Sequence, residues 1–162
     1  MAALGYGYWE VAIEKHGRMK LPTALLKILP ENERKKFWIT HGFGECIMLW
    51  TENAYLEKLE HLNTLNANIV KVRTYRNAFL RNTTNVECDA QGRFVIPKPF
   101  IEQYNIANEV TLLMDGGKIE IWDTAKYNAK FSMSPAELEE LNQEIYTGHY
   151  LNESSQKDES VS

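Results

Sequence analysis

The alternation of apolar and polar positions near the start of the chain predicts a strand–turn–strand unit. Trp9, Val11 and Ile13 alternate with less apolar residues, which is the pattern of a half-buried β-strand. A loop with a glycine follows, and the alternation then resumes over residues 18–21. Because glycine readily adopts the positive φ of a tight turn, we expect a β-hairpin here.

The chain repeats this unit 75 residues further on. Residues 11–22 read VAIEKHGRMKLP, and residues 86–97 read VECDAQGRFVIP, each with Gly-Arg at its centre and proline at its end. After a three-residue adjustment, the later segments IMLW and IEIW also align. Similarity at a fixed offset indicates a repeated supersecondary unit, and two copies favour one compact body with pseudo-twofold symmetry.

Each copy also predicts a short helix and a second hairpin. Pro22 and Pro97 end a strand and suit the first turn of a helix, where a missing N–H costs little. The second hairpins are FWIT and ECIMLW around residues 41–44, and VTLLM and KIEIW around residues 115–117. The Asp-Gly-Gly of the latter is a strong turn signal.

Helical spacing predicts the remaining elements. Thr51 is expected to cap a helix with the apolar stripe of residues 55–62, and a second helix is expected over 67–81. Thr124 is expected to cap a short helix packed behind the second copy. Ser134 begins a capping-box pattern for a C-terminal helix. The predicted segments are a first repeat with its following helix (1–66), a linking helix (67–81), a second repeat (82–132), a C-terminal helix (133–151) and a disordered acidic tail (152–162).

The charge distribution changes what the net charge of -4 implies. Residues 131–162 hold seven acids and one lysine, so residues 1–130 carry 17 basic and 15 acidic residues. The stretch 69–98 has six basic residues against two acids. Since an anionic partner responds to the local field, a nucleic-acid partner remains compatible with the overall acidity.

Other function classes find little support. No apolar run approaches the ~18 residues of a membrane helix, and the N-terminus lacks the basic flank of a secretory signal. The two cysteines, Cys46 and Cys88, are predicted to be small buried residues within strands of a cytosolic protein. No histidine pair has metal-ligand spacing, and no nucleotide-binding or nucleophile motif is present. We therefore expect no enzyme activity, cofactor, metal, membrane or small-molecule substrate.

The two Gly-Arg loops are the candidate functional feature. Glu14 and Asp89 begin the loops. Either acid could pair with the arginine of its loop, and Asp89 could also accept backbone N–H bonds across the turn. For Arg18 and Arg93 we favour a functional role, since arginine makes bidentate contacts to phosphate or guanine edges. The candidate DNA-binding residues are Lys15, His16, Arg18, Lys20, Gln91 and Arg93, and the loop-structuring residues are Glu14, Gly17, Asp89 and Gly92.

At these residues the sequence resembles the MraZ family of bacterial transcriptional regulators. The family pattern, D-x-x-G-R followed by an apolar strand and I/L-P, stands twice, at residues 14–22 and 89–97, within a resemblance over about residues 5–130. The resemblance implies an α+β fold, a swapped-hairpin β-barrel built from two AbrB-like repeats with pseudo-twofold symmetry, plus connecting helices. It also implies a cytoplasmic, nucleoid-associated protein that assembles as a closed ring. Such rings bind repeated promoter elements of the cell-division and cell-wall gene cluster.

Carried over by motif position, the resemblance gives Lys15, Arg18 and Arg93 as the main DNA contacts, with His16 and Gln91 second. One departure is Glu14, which stands where the family has aspartate, so the first loop could be shaped differently. The net acidity and this departure leave an alternative function open, a ring-forming protein-interaction scaffold without specific DNA binding.

Overall fold

The fold is mixed α+β, with an antiparallel sheet and six α-helices, and was obtained as a computed structural model. The structure describes residues 5–150, so the predicted tail at 152–162 lies outside the described residues. The chain divides into two compact units, Met1–Tyr127 and Asn128–Ser162. Every buried apolar side chain among residues 5–150 belongs to the first unit.

The elements follow one another in an order that repeats the same strand and helix types. They are β1 (Tyr6–Ala12), β2 (Arg18–Lys20), α1 (Thr23–Ile28), β3 (Lys36–His41), β4 (Ile47–Thr51), α2 (Glu52–Thr64), α3 (Val70–Arg81), β5 (Thr84–Glu87), β6 (Arg93–Val95), α4 (Lys98–Gln103), β7 (Glu109–Asp115), β8 (Lys118–Asp123), α5 (Thr124–Phe131) and α6 (Pro135–Thr147).

Six strands form one antiparallel sheet in the order β1-β7-β8-β4-β3-β5. The predicted second hairpins are confirmed, because β3 pairs with β4 and β7 pairs with β8. These two hairpins meet at the centre through β4 and β8, and each outer strand comes from the other half of the chain. The sheet therefore ties the halves together instead of keeping each half separate.

The predicted hairpins across the Gly-Arg loops are wrong as strand pairs. β1 pairs with β7, and β5 pairs with β3, so neither pairs with the strand that follows its own loop. Instead β2 and β6 pair with each other as a separate two-stranded antiparallel ribbon. The reason is that each turn is closed at its base, where Glu14 N–H donates to the Arg18 carbonyl and Asp89 N–H to the Arg93 carbonyl, and the strands then diverge.

Two backbone hydrogen bonds extend the ribbon across the loop glycines. Leu21 N–H donates to the Gly92 carbonyl, and Ile96 N–H donates to the Gly17 carbonyl, both at 2.9 Å. Gly17 and Gly92 are buried and have φ of 80° and 82°, the left-handed region that side chains rarely adopt. These two glycines thus let each turn reach the ribbon strand of the other half.

The hydrophobic core lies between the ribbon, the sheet and the short helices α1 and α4. Its fully buried members come from both halves of the chain. They include Leu21, Leu25, Phe37, Ile39, Ile47, Leu49, Ile96, Val110, Leu112, Ile119 and Ile121. Because burying one such side chain contributes roughly 1.5–3 kcal/mol, this shared core is the main force that holds the halves together.

The helices differ from their predicted forms in two places. α3 begins at Val70 instead of residue 67, because the Asn66 side chain accepts a hydrogen bond from Asn68 N–H and favours a turn there. None of its residues is fully buried, although Phe79 packs against the buried rings of Trp50 and Tyr55. α5 is capped by the carboxylate of Asp123, which accepts from Lys126 N–H, and Thr124 is already its first helical residue.

The other predicted caps are present. The Thr51 hydroxyl accepts from Ala54 N–H at the start of α2, and the Ser134 hydroxyl accepts from Glu137 N–H at the start of α6. Taken by itself, α6 exposes its apolar residues, including Leu138 at 59%. Over residues 5–150, none of the helices has the length and apolar character needed to cross a membrane.

We predict that Gly17→Ala destabilises the protein more than Gly92→Ala. Both changes force alanine into a left-handed conformation, which costs about 1–2 kcal/mol. At Gly17 the new Cβ would also lie 2.7 Å from the carbonyl oxygen of Ile96, which is backbone and cannot easily move. At Gly92 the nearest atom is the end of the Leu26 side chain, at 2.8 Å.

Urea denaturation of the three alanine variants and the unchanged chain measures these costs. Gly116→Ala is the matched control, since its φ is 60° and a Cβ there would meet nothing within 4 Å. We expect Gly116→Ala to lose only the free energy that a left-handed alanine costs. Gly92→Ala should lose an amount between the losses of Gly116→Ala and Gly17→Ala. If Gly17→Ala and Gly116→Ala lost equal stability, the contact between the new Cβ at residue 17 and the Ile96 carbonyl oxygen would have no energetic effect, contrary to this prediction.

Candidate nucleic-acid interface

The β2–β6 ribbon places its side chains on two opposite faces. Met19 and Phe94 are directly paired and point into the core, with 2% and 4% of their surface exposed. The side chains on either side of them alternate to the outer face. That face consists of Arg18, Lys20, Arg93 and Val95, with Arg18 opposite Val95 and Lys20 opposite Arg93.

Three positive charges therefore lie together on one small surface. Residues directly opposite on paired strands have Cβ atoms about 5 Å apart, so Lys20 and Arg93 are immediate neighbours. Arg18 and Lys20 are exposed, and Arg93 is half-buried. Like charges at this spacing repel each other, and an anion bound across them would relieve that repulsion.

No acidic side chain of the described residues forms an ion pair with these cations, although the Asp89 carboxylate lies near enough to interact with the charges of Arg18 and Arg93. Within residues 5–150, the side chains of the six candidate DNA-binding residues make no hydrogen bond and no ion pair. The six are Lys15, His16, Arg18, Lys20, Gln91 and Arg93. The ion pair found in that part of the chain joins Lys98 to Glu102 on α4, at 3.7 Å. The six side chains are accordingly available to a partner.

The second loop is held in shape by Asp89. One of its carboxylate oxygens accepts hydrogen bonds from the backbone N–H groups of Gln91 and Arg93, both at 2.9 Å. The Arg93 N–H is the main reason that the pKa of the Asp89 carboxyl is lowered, helped by the Gln91 N–H and by the charges of Arg93 and Arg18. The carboxylate thus stays ionised, and it anchors the backbone from which Arg93 projects.

The first loop is built differently. The Glu14 side chain makes no capping hydrogen bond, in contrast to Asp89. His16 has φ of 64°, so two consecutive residues of this loop, His16 and Gly17, are left-handed. In the second loop, residues 89–93, Gly92 is the one left-handed residue. The longer side chain of glutamate accounts for the difference, because it places the carboxylate one methylene further from the N–H groups that aspartate reaches.

A groove of about 480 Å³ runs beside the ribbon. The guanidinium-bearing residues Arg18 and Arg93 and the acidic residues Glu87 and Asp89 all line it. The groove also contacts Val95 on the outer face. An anionic partner would meet the arginines on the ribbon and be repelled from the acidic side, which restricts the orientations in which it can bind.

The basic residues of the stretch 69–98 do not form one continuous segment in the fold. Four of the six lie on α3, namely Lys71, Arg73, Arg76 and Arg81, while Arg93 lies on β6 and Lys98 on α4. The charge count of this stretch therefore does not predict which surface of the fold is basic. The ribbon face depends instead on the pairing of β2 with β6, which joins cations 75 positions apart.

Val95 is the outer-face residue that the sequence interpretation did not select. The sequence does indicate its position, because residues 93 and 95 are two apart in a strand and therefore lie on the same face. The structure leaves it 51% exposed.

Other chemistry is not assembled among the described residues. Within residues 5–150 no three His, Cys, Asp or Glu side chains gather as a metal site would require. Cys46 and Cys88 are buried as predicted, but each lies one residue outside a strand. Burial, with the nearby charge of Asp89, raises the pKa of the Cys88 thiol to about 12, so it stays protonated and unreactive at neutral pH.

A larger cavity of about 930 Å³ lies among α2, α3 and the β3–β4 hairpin. Aromatic and apolar side chains form much of its lining, including Trp50, Tyr75 and Phe79. The Lys58 ammonium lies 5.5 Å and 5.6 Å from the ring centroids of Tyr75 and Phe79, a cation–π arrangement. None of the residues of the Gly-Arg loops lines this cavity.

Comparison with known proteins identifies a family. The family model described as "MraZ protein, putative antitoxin-like" matches residues 79–145, which include the second Gly-Arg loop. The Transcriptional regulator MraZ of Finegoldia magna is 30% identical over 129 residues, which cover 80% of this chain and 87% of that protein.

Two further relatives carry the same name. Transcriptional regulator MraZ of Cytophaga hutchinsonii is 26% identical over 135 residues, covering 83% of this chain and 89% of the relative. That of Mycoplasmopsis pulmonis is 28% identical over 124 residues, covering 76% and 82%. The chain therefore belongs to the MraZ family, which is a family of transcriptional regulators and not of enzymes.

Proposed function

We propose that the protein is a sequence-specific DNA-binding regulator that acts on repeated promoter elements of the division and cell-wall gene cluster as a ring oligomer. The observation that carries the proposal is the outer face of the β2–β6 ribbon, where Arg18, Lys20 and Arg93 lie together without an ion pair. The relatives named as transcriptional regulators give the biological context. The cytoplasmic, nucleoid-associated location belongs to the same proposal.

The ribbon suits the major groove of DNA. That groove is about 12 Å wide and admits a two-stranded β-ribbon. Arg18 and Arg93 can each donate two parallel hydrogen bonds, either to a phosphate or to the N7 and O6 atoms of guanine. Lys20, as a point charge, suits a phosphate. Lys15, His16 and Gln91 lie in the adjoining loops and provide contacts at the ends of the ribbon.

The proposed fold is the swapped-hairpin barrel of two AbrB-like repeats, with the repeats at 1–66 and 82–132 and the linking helix at 67–81. Its support is that two of the strand pairs between the halves, β2–β6 and β4–β8, are each twofold-symmetric in their register. In the ribbon the axis passes between Met19 and Phe94, which occupy equivalent positions in the two repeats. In the sheet it passes between Met48 and Glu120, around which Ile47 pairs with Ile121 and Leu49 with Ile119.

Self-assembly would compensate for the small size of each site. Three cations give modest affinity, but several ribbons on one ring would engage successive promoter repeats, and the effective concentration of the second and later sites raises the overall affinity. Apolar side chains that solvent reaches support such association. Phe43 is 90% exposed and Val70 is 74% exposed within the first unit.

We predict that Arg18→Ala and Arg93→Ala each weaken binding to the DNA upstream of the protein's own gene. Loss of a bidentate arginine contact costs about 1–3 kcal/mol. Electrophoretic mobility shift or fluorescence anisotropy at fixed salt measures the change, and circular dichroism checks the fold. Lys27→Ala is the matched control, since it removes an exposed charge of α1 outside the ribbon. Wild-type binding by both arginine variants would refute this site.

A second prediction concerns ionic strength. Each phosphate contact releases counterions, so the logarithm of the affinity should fall linearly with the logarithm of the salt concentration. Lys20→Ala should make this slope shallower by about 1, without changing the preferred sequence. A salt response that is the same in Lys20→Ala and the unchanged chain would show that Lys20 does not contact phosphate.

A third prediction concerns assembly. Light scattering coupled to size-exclusion chromatography should give a mass that is an integer multiple of the chain mass, independent of dilution in the micromolar range. A monomer at those concentrations would remove the ring from the proposal. A ring that ignores its own upstream DNA would instead favour the interaction scaffold.

A further inference from the structure

Val95 breaks the symmetry of the ribbon's outer face. The twofold relation places Arg18 at the position of Arg93, and it places Lys20 at the position of Val95. Three of the four outward side chains are therefore cations, and the fourth is an apolar side chain without hydrogen-bonding capacity. Half of the Val95 surface is open to solvent, at 51%.

The core does not require this valine. The inward positions of the ribbon are filled by Met19 and Phe94, and Val95 points the other way. Scattered exposed apolar residues are common on proteins, so exposure alone would mean little. Here, however, the residue lies directly opposite Arg18, in the face whose other members suit DNA, and it lines the groove beside the ribbon.

Resting on the proposed function, we propose that Val95 contacts the C5-methyl group of a thymine in the major groove and thereby sets a base preference. The thymine methyl is the apolar group that base pairs present there. A valine gains nothing from a phosphate, which it would partly desolvate. When Val95 packs against the thymine methyl group, the apolar surfaces of both groups leave water, which is favourable.

The neighbouring arginine narrows the target further. Cβ atoms of directly opposed residues are about 5 Å apart, and successive base pairs are about 3.4 Å apart. Val95 and Arg18 therefore reach the same or adjacent base pairs when the ribbon lies in the groove. With Arg18 on guanine, the preferred element contains a thymine and a guanine within one or two steps. At the symmetry-related position, Lys20 beside Arg93 has no such preference for thymine.

The test removes the methyl group from the DNA and from the protein in turn. Duplexes from the region upstream of the gene are prepared with single thymines replaced by uracil, which lacks only the C5-methyl. On a duplex that carries one repeat, we expect one such replacement to weaken binding by the unchanged chain about fourfold, the effect of burying one methyl group. Val95→Ala should lose about the same on thymine DNA and become indifferent to that replacement, which a double-mutant cycle makes quantitative.

Two further variants keep the result interpretable. Val95→Thr retains a methyl group and should keep part of the discrimination against uracil. Val95→Lys copies Lys20, so it should bind all duplexes more tightly, with a salt slope steeper by about 1 and no response to uracil. Because Val95 is exposed, thermal melts of these variants should stay close to that of the unchanged chain.

The outcomes separate the inference from the function on which it rests. If Val95→Ala is as sensitive to uracil as the unchanged chain, or if no single replacement affects the unchanged chain, the thymine contact is refuted while DNA binding stands. If the unchanged chain binds none of the duplexes, the proposed function itself fails. A nonzero coupling energy between Val95 and one thymine methyl group in the double-mutant cycle establishes the contact.

Discussion

The rest of the structure depends on the two backbone hydrogen bonds that cross between the Gly-Arg turns. Each joins a ribbon strand of one half to the glycine carbonyl of the other, Leu21 to Gly92 and Ile96 to Gly17. Without them β2 and β6 would be three-residue strands with little to hold them in register. With them, Met19 and Phe94 are fixed over the core, and the residues on either side of each must face outward. The hydrogen-bond pattern that makes the fold therefore also makes the cationic face.

The two halves follow one plan but use different local chemistry. Asp89 fixes its loop with two hydrogen bonds to backbone N–H groups, whereas the loop of Glu14 relies on left-handed residues at His16 and Gly17. Strain of this kind persists only where the surroundings impose it, and here the ribbon and its crossed bonds do so. The same divergence reaches the outer face, where Lys20 and Val95 occupy equivalent positions. A ribbon with a symmetric register thus carries an asymmetric surface.

Much of this arrangement could be predicted from local sequence. The second hairpins, the caps at Thr51 and Ser134, and the bonds of Asp89 each follow from a pattern a few residues long. The partners of the strands that flank the Gly-Arg loops could not be predicted, because alternation shows which face of a strand is buried and not which strand lies beside it. For that reason a hairpin was expected where β1 and β2 in fact separate.

The composition of the outer face was hidden for the same reason. Arg93 is more than 70 residues from Arg18 and Lys20 in the chain, and only the ribbon register brings it beside them. Val95 carries neither charge nor hydrogen-bonding groups, so a search for DNA-contacting side chains does not select it. Its outward direction follows from the burial of Phe94 beside it. The helix α3 shows a related limit, since helical spacing predicts which residues share a face and not how deeply that face is buried.

The acidity of the whole chain is compatible with a DNA-facing ribbon because the two properties act over different distances. At physiological ionic strength the field of an exposed charge falls off within about 8 Å. Lys20 and Arg93 are directly opposed, with Cβ atoms about 5 Å apart, and Arg18 lies two residues from Lys20 on the same face, so the three can act on a phosphate together. Charge of this kind attracts every sequence alike. Discrimination between sequences must then come from groups that do more than attract, the forked guanidinium of arginine and the one outward side chain that carries no charge at all.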